Sequence, residues 1–588
     1  MIAGFDFGTT NSLVSVVVGD RVIDVVDEEG RPHPSVVRYE GEEVIVGREA
    51  RNALEEVGLG VHGSTVRSPK FLLGQEVVSV GGVDRSPVDI VADVIRHVRT
   101  ESLQSRQREV LGDLARAVVT IPVSMNGPRR RALRDACSQA RISVAQFVHE
   151  PLAALYGYLR GGTDAESTIR GLMRQNVLVV DWGGGTLDLT LCRIEPGRIL
   201  QLRNGGTDQV GGDRFDQVIR DEVVGRFSNS HCIADNDRPS REARLRLLQS
   251  TERNKIALSD RAEVTFYTPN YFPVSGTTLQ YTLSRQEFDA IARPLVDQGI
   301  REIEALLDSV GMAPAQVSLC LVAGGMAAMP SIRRRMHELF GPGRVIVPAN
   351  SSTLVSQGAA WIAHDAQRLV LAKQIELEMA RGYRLPLLRA GTRMPIDGDS
   401  CEDSFHLFCT DPTDGVAKFS IVTPTQLTEQ PQASDPRTSL GVIAIDVDET
   451  APPLVERLEL DIKIDEDLIL SLSATSSQRQ DKATASYFDL EFGIALPGSE
   501  LKEDLDAGGA GISSPGGGLT IRANVADKAD PAMVPGDVLY KHKRTAFARF
   551  GGPDQATQEQ LTEHLYFQPC AVCKRKWGDP ACRCASVA

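Results

Sequence analysis

The sequence predicts a two-lobed α/β unit followed by an antiparallel β-domain, and three observations predict it. A strand–turn–strand hairpin occurs twice, in GFDFGTTNSLVSVVV from Gly4 and in NVLVVDWGGGTLDLTLCRI from Asn176. From Met1 to about Asp365 strand-like and helix-like segments alternate, the signature of α/β layering. Between about 378 and 497 the chain changes to short alternating runs separated by Pro, Asp and Gly, the pattern of antiparallel strands.

The two hairpins share one design. In the second, an apolar run ends at Asp181; Gly183, Gly184 and Gly185 follow, and Thr186 leads into the alternating Leu187, Leu189 and Leu191. In the first, Asp6, Gly8, Thr9 and Thr10 occupy the equivalent turn, 175 positions earlier counting Asp to Asp. Successive glycines let the backbone approach a bulky group and aim several N–H donors at it. Threonine hydroxyls add donors, and an aspartate at each strand end suits a divalent cation held through water. The pair therefore reads as a clamp for a polyphosphate with Mg2+; for one copy alone an ordinary hairpin turn explains as much.

The remaining elements follow in order. Residues 21–26, 35–39 and 44–46 read as short strands. Residues 87–107 have helical spacing, with Val88, Val91, Ile95 and Val98 on one face. Residues 117–121 form a buried strand stopped by Pro122, and 129–140 a basic amphipathic helix. Three stretches between these carry polar residues of interest: RSPKFLLG with Lys70, HEPLAALYGY with Glu150 before Pro151 at a helix start, and LCLVAGGMAAMP with Gly324 and Gly325 leading to a helix over 331–340.

Composition narrows the classes. With 588 residues, 42% hydrophobic and 24% charged, the chain has the make-up of an ordinary globular protein of three or four units. A net charge of −14 argues against a general affinity for nucleic acid or anionic membrane. No run of about 18 apolar residues suggests a membrane span, and the start carries no basic leader or apolar signal segment, so a cytoplasmic location is expected. Cys137, Cys192, Cys232, Cys320, Cys401 and Cys409 are scattered and read as buried thiols of a reducing compartment.

The ordered set GFDFGTTNS, PKFLLG, HEPLAALYGY, VVDWGGGTLDLTL, VGGDRFD, ERNKIALS and LVAGGMAAMP resembles the nucleotide-binding domain of the seventy-kilodalton heat-shock chaperone family, in the actin-like ATPase superfamily. A phosphate-loop motif is absent from the sequence. The resemblance implies ATP/ADP and Mg2+ as ligands, with Asp6 and Asp181 holding the metal's water shell. Gly8, Thr9 and Thr10 would cradle the phosphates from one lobe, and Gly183, Gly184, Gly185 and Thr186 from the other. Lys70 would orient the attacking water, and Glu150 would touch the metal shell and sense the nucleotide. Asp188, Gly211, Gly212, Gly324 and Gly325 fall within the matching motifs and are assigned to the same site. Glu252, Lys255 and Ser259 would contact ribose and adenine. The two arginines that stack on the base in the family are replaced by Ile256 and Ala328, which puts adenine selectivity in doubt. Slow, Mg-dependent ATP hydrolysis is the implied reaction.

The expected domains are a nucleotide-binding domain over 1–365, a linker over 366–377 and a peptide-binding-like β-sandwich over 378–497. A Gly-rich linker over 498–518 and a C-terminal segment over 519–588 follow. Residues 366–377, AQRLVLAKQIEL, read as helix or linker. The family's helical lid would follow the sandwich, but AGGAGISSPGGG stands there, so a lidless β-domain with fast client release is expected. Cys570 and Cys573, with Cys582 and Cys584, offer four thiolates from two tight turns. That suits Zn2+, with a redox pair or no site as the alternatives. The leading reading is an ATP-dependent chaperone for unfolded or extended peptides, assisted by a J-domain-type co-chaperone and a nucleotide exchange factor. The alternative is a nucleotide-dependent scaffold holding one dedicated partner through the β-domain and the Cys-rich tail.

Overall fold

The computed structural model describes residues 2–53, 60–104, 113–162, 164–234, 236–378, 384–409, 412–427, 435–452, 456–476, 479, 482–499 and 538–539. The described residues divide into two compact units, one of 2–368 with 494–499, the other of 369–493 with 538–539.

The first unit is built on two sheets of one plan. Strands β1 (Ala3–Phe7), β2 (Asn11–Val18), β3 (Arg21–Val25), β4 (Arg116–Ile121) and β5 (Ser143–His149) form the first, in the order β5-β4-β1-β2-β3, with His33–Pro34 pairing β2. Strands β6 (Asn176–Trp182), β7 (Leu187–Glu195), β8 (Arg198–Thr207), β9 (Val317–Ala323) and β10 (Val345–Ile346) form the second, in the order β10-β9-β6-β7-β8. In each sheet a central strand runs antiparallel to its hairpin partner on one side and parallel to a later strand on the other. The duplication visible in the two Gly-rich hairpins thus extends to whole sheets. Val177, Leu178, Val179 and Val180 are all fully buried, so β6 is an unbroken apolar run because both of its faces are covered.

Helices join and cover the sheets. Helix α1 (Gly127–Gln139) starts where the Asn126 side chain accepts the Arg129 N–H, with a proline in its first turn, a strong start signal. Helix α2 (Glu150–Gly161) follows β5; α3 (Gly212–Ser230), α4 (Arg241–Ala257) and α5 (Arg285–Ser309) belong to the second half. The Ser284–Glu287 capping box opens α5. Helices α6 (Pro330–Phe340) and α7 (Leu354–His364) close the first unit's long stretch. The chains of α2 and α7 meet backbone to backbone: a Cβ on Gly358 would lie 1.8 Å from the Ala153 carbonyl oxygen, and one on Gly157 would lie 2.9 Å from the Gly358 Cα.

The second unit holds β11 (Val370–Leu371), β12 (Ile375–Glu378), β13 (Arg384–Leu388), β14 (Ser400–Cys409), β15 (Val416–Pro424), β16 (Arg437–Asp446), β17 (Arg457–Asp465), β18 (Leu470–Ser476) and β19 (Lys482–Tyr487). One sheet has the order β13-β12-β15-β16, the other β19-β18-β17-β14 with Val538–Leu539 at its edge. Alternate residues point inward: Leu458, Leu460, Ile462 and Ile464 on β17 are buried, as period-two patterning requires. Arg437 Nε donates to a Glu376 carboxylate oxygen at 2.5 Å with both side chains buried, and Lys373 pairs with Glu491 at 3.4 Å. Strand β20 (Phe492–Ala495) follows, and from Ile494 onward the chain is back in the first unit.

Two sequence expectations change. Residues 366–377 are not helical: β11 pairs with Gly493 and Phe492, and β12 with β13 and β15. The buried run Leu369, Val370, Leu371 and the alternating Ile375, Leu377 satisfy ladders rather than a helical face. Of the six scattered cysteines, Cys232 is exposed and Cys401 half-buried, whereas the other four are buried. No helix among the described residues is long and apolar enough to cross a membrane. The expected Zn2+ ligands Cys570, Cys573, Cys582 and Cys584, and the segment on which the lidless reading rests, lie outside the described residues.

Candidate functional site

The two Gly-rich turns face one another. A Cβ on Gly184 would lie 2.2 Å from Thr10 Oγ1, and one on Gly185 would lie 2.5 Å from Thr9 Cγ2. Only glycine permits that approach. The second turn is closed by the Gly183 N–H donating to the Thr186 carbonyl at 2.9 Å. The Gly212 and Asp213 N–H groups donate to the Gly183 and Gly184 carbonyls at 3.1 and 2.7 Å, which brings the VGGDRFD stretch onto the turn. Gly212 is in turn approached by Met326 and Lys255, so the turn at Gly325–Ala328 and helix α4 converge there as well.

Carboxylates gather behind the turns. Asp6 pairs in register with Thr120 on β4 and accepts its hydroxyl at 2.9 Å. Asp181, next to last in β6, lies opposite Asp188 on β7, and Asp188 accepts the Val123 N–H at 3.2 Å. Lys70, on the short 3-10 turn Pro69–Leu72, donates to Glu150 at 2.8 Å and is 1% exposed. Arg129 holds that turn by donating to the Lys70 carbonyl at 3.0 Å. Burial, then the negative charge of Glu150, pushes Asp6 up to about 7 and Asp188 likewise. Burial also raises Asp181, with Glu150, Asp188 and Asp6 adding to the effect. Four carboxyl groups around one ammonium make a site that favours added positive charge.

A second set of charges crosses the unit at the other end. Arg51 pairs with Glu252, Arg67 with Asp213, and Lys255 Nζ with Asp216 at 3.0 Å. Lys255 also donates to the Gly212 carbonyl at 3.0 Å. Arg51, Arg67, Asp213 and Asp216 were not singled out from sequence. The only signal was Asp213 and Asp216 spaced three apart beside VGG, on what proves to be one face of α3. Ser259 lies apart from these pairs, its carbonyl taking the Arg285 guanidinium at 3.2 Å. Ile256 is 59% exposed, and Ala328 and Gly325 are exposed too.

The Glu252 carboxyl gives a pH test. Burial acts to raise it, but Arg51 foremost, then Lys255 and Arg67, hold it at about 2, below the ordinary 4.5. A depressed acid contributes stability above its unfolded value and loses it as pH falls through the folded value. The destabilisation caused by Glu252→Gln is therefore expected to be largest above pH 4.5, at about 3 kcal/mol, and to shrink between pH 4.5 and 3. Urea unfolding of both chains across that range measures it; a difference independent of pH would contradict the assignment.

Two sheets of one plan, each presenting an Asp-bearing hairpin turn to the other, define a two-lobed α/β protein with a β-domain following it. The chain belongs to the Hsp70 family: the family model described as Hsp70 protein matches residues 2–487. Relatives bearing the name chaperone protein DnaK cover most of it. That of Mycoplasma mycoides subsp. mycoides is 29% identical over 500 residues, 82% of this chain and 79% of the relative. That of Mycoplasmoides gallisepticum is 27% identical over 81% and 78% of the two chains. That of Halobacterium salinarum is 28% identical over 86% and 78%.

Proposed function

We propose that this chain is an ATP-dependent chaperone in which the cleft between the two Gly-rich turns binds and slowly hydrolyses ATP, and the β-domain binds extended peptides. The observation that carries the reading is the convergence of both turns on the Lys70–Glu150 pair and the three aspartates. Thr10 Oγ1 and Asp188 Oδ2 are buried and find no hydrogen-bond partner among the described residues, which fits a site built for a polar ligand. Gly8, Thr9, Thr10, Gly183, Gly184, Gly185 and Thr186 are assigned to the phosphates, and Gly211, Gly212, Gly324 and Gly325 to the walls around them. Asp6 and Asp181, with Asp188 and Glu150 nearby, are assigned to Mg2+ through its water shell. The metal, when bound, would neutralise phosphate charge. Lys70 is held by Glu150 and the Pro69–Leu72 turn in one place, where its ammonium can fix the attacking water. Positioning and charge are what phosphoryl transfer requires.

At the base end Glu252, Lys255 and Ser259 are assigned to the nucleoside. Ile256 and Ala328 remove two cation–π contacts of roughly 0.5–2 kcal/mol each. Charge-assisted hydrogen bonds to phosphate, about 1.5–3 kcal/mol each, outweigh that loss. ATP is expected to bind with less than a tenfold advantage over GTP (about 1.4 kcal/mol). Competition between the two nucleotides on the intact protein measures it, and a larger advantage would refute the expectation.

Unfolded peptides, a J-domain-type co-chaperone and a nucleotide exchange factor are the proposed partners. The dedicated-scaffold alternative is not favoured, because the relatives named as chaperones match across both units. ATP turnover with and without a generic unfolded peptide tests the reading. Stimulation is expected; turnover indifferent to peptide, or no turnover at all, would defeat it.

A further inference from the structure

Beside the Lys70 turn stands an arginine whose charge no carboxylate meets at close range. Arg129 lies in the first turn of α1. Its stem passes so near Gly74, at φ 94°, that a Cβ there would lie 3.1 Å from the Arg129 Cγ. Its Nη2 donates to the Lys70 carbonyl at 3.0 Å, and its guanidinium stands 5.8 Å from the centre of the Phe71 ring. Phe71 borders the second Gly-rich turn: a Cβ on Gly185 would lie 3.2 Å from its ring edge, beside Thr9. The guanidinium forms no ion pair among the described residues, and its Nε–H is buried without a partner. Burial holds it below the ordinary arginine range, and the acid that opposes this is Asp208. Asp208 is exposed and follows Thr207, which pairs with Leu187 where that same turn enters β7.

We infer that Arg129 is the residue by which the cleft distinguishes ATP from ADP, its guanidinium taking the terminal phosphate. The inference rests on the nucleotide reading proposed above and deepens it. Lys70 is assigned to the attacking water, hence to the outer end of the phosphate chain, and Arg129 clasps that same segment. A contact at that end is one that ADP lacks. The Lys70 ammonium is already committed to Glu150 at 2.8 Å, so the charge still open to an anion there is the guanidinium. Its N–H groups form a fixed fork suited to phosphate oxygens. The Lys70 carbonyl, Gly74 and the Phe71 ring hold it in place, so little side-chain freedom is lost when an anion arrives. Asp208 acts on it only at a distance and competes weakly with a phosphate. In sequence Arg129 is one of three consecutive arginines with Arg130 and Arg131, and nothing there singles it out.

The test is the ratio of affinities for ADP and for the non-hydrolysable β,γ-imido analogue of ATP, measured by calorimetry on the full chain with Mg2+. Arg129→Gln is expected to lower the preference for the ATP analogue about tenfold while changing ADP affinity less than about threefold. Arg129→Lys keeps the charge without the fork and should fall between the parent chain and Arg129→Gln. Asp208→Asn, at an exposed position, removes the competing acid and is expected to raise the preference about twofold. An equal loss for both nucleotides in Arg129→Gln would show that Arg129 only braces the Lys70 turn and would overturn the inference; so would no loss for either. Should that variant fail to fold, Asp208→Asn decides: a raised preference supports the inference and an unchanged one overturns it. A parent chain that binds neither nucleotide would defeat the nucleotide reading itself, whereas binding of both with no change of ratio defeats this inference alone.

Discussion

Lys70→Ala is expected to lower the rate of ATP turnover by about 100-fold or more while changing ATP affinity only a few-fold. The side chain sits on a short turn pinned by Arg129 and is bonded to Glu150 at 2.8 Å, so its ammonium is already in place before any ligand arrives. A group whose value lies in pre-set position affects the transition state more than the ground state. Removing it also leaves Glu150 buried without its cation, a defect of about 3–5 kcal/mol when uncompensated. The double variant Lys70→Ala, Glu150→Gln separates the two effects: its stability should recover and its turnover should not. Single-turnover kinetics with denaturant unfolding reads both quantities. Turnover restored along with stability would show that Lys70 matters only as a partner for Glu150.

Gly324→Ala is expected to cost about 2–4 kcal/mol of stability and to weaken Mg-dependent ATP binding at least about tenfold. Gly324 has φ 82°, and a Cβ there would lie 2.4 Å from the Trp182 carbonyl oxygen and 2.6 Å from Asp181 Oδ1. The added methyl meets both backbone strain and the carboxylate assigned to the metal shell, and Asp181 must move. Titrating ATP at several Mg2+ concentrations, beside a thermal melt, distinguishes the outcomes. A loss of stability with unaltered Mg2+ dependence would remove Asp181 from its assigned role.

What could be read from sequence was local. The hairpins at Asp6 and Asp181 were legible because glycines and threonines must be adjacent in the chain to make such a turn, and the alternating strands after them have period two. Their juxtaposition was also legible, through the duplication. The pairs Arg67–Asp213 and Arg51–Glu252 were not, because their members are 146 and 201 positions apart and neither arginine stands out in its own segment. The segment around Leu369–Leu371 stays ambiguous between helix and linker in the sequence for a different reason. Apolar spacing in so short a run fits a helix and a strand alike, and the ladder from Phe492 and Gly493 that decides it lies far along the chain. The return of residue 494 to the first unit was hidden for the same reason.

The crossing of α2 and α7 has a mechanical consequence. Helix α2 leaves the first sheet and packs on β6 and β7 of the second; α7 leaves the second and packs on β1 and β2 of the first. Each half therefore lends a helix to the other, and the loans meet where Gly157 and Gly358 bring main chain against main chain. Interlocked side chains would act as gear teeth there, giving discrete stops. Bare backbone offers no such teeth, and a side chain added at Gly157 or Gly358 would have to push the two helices apart.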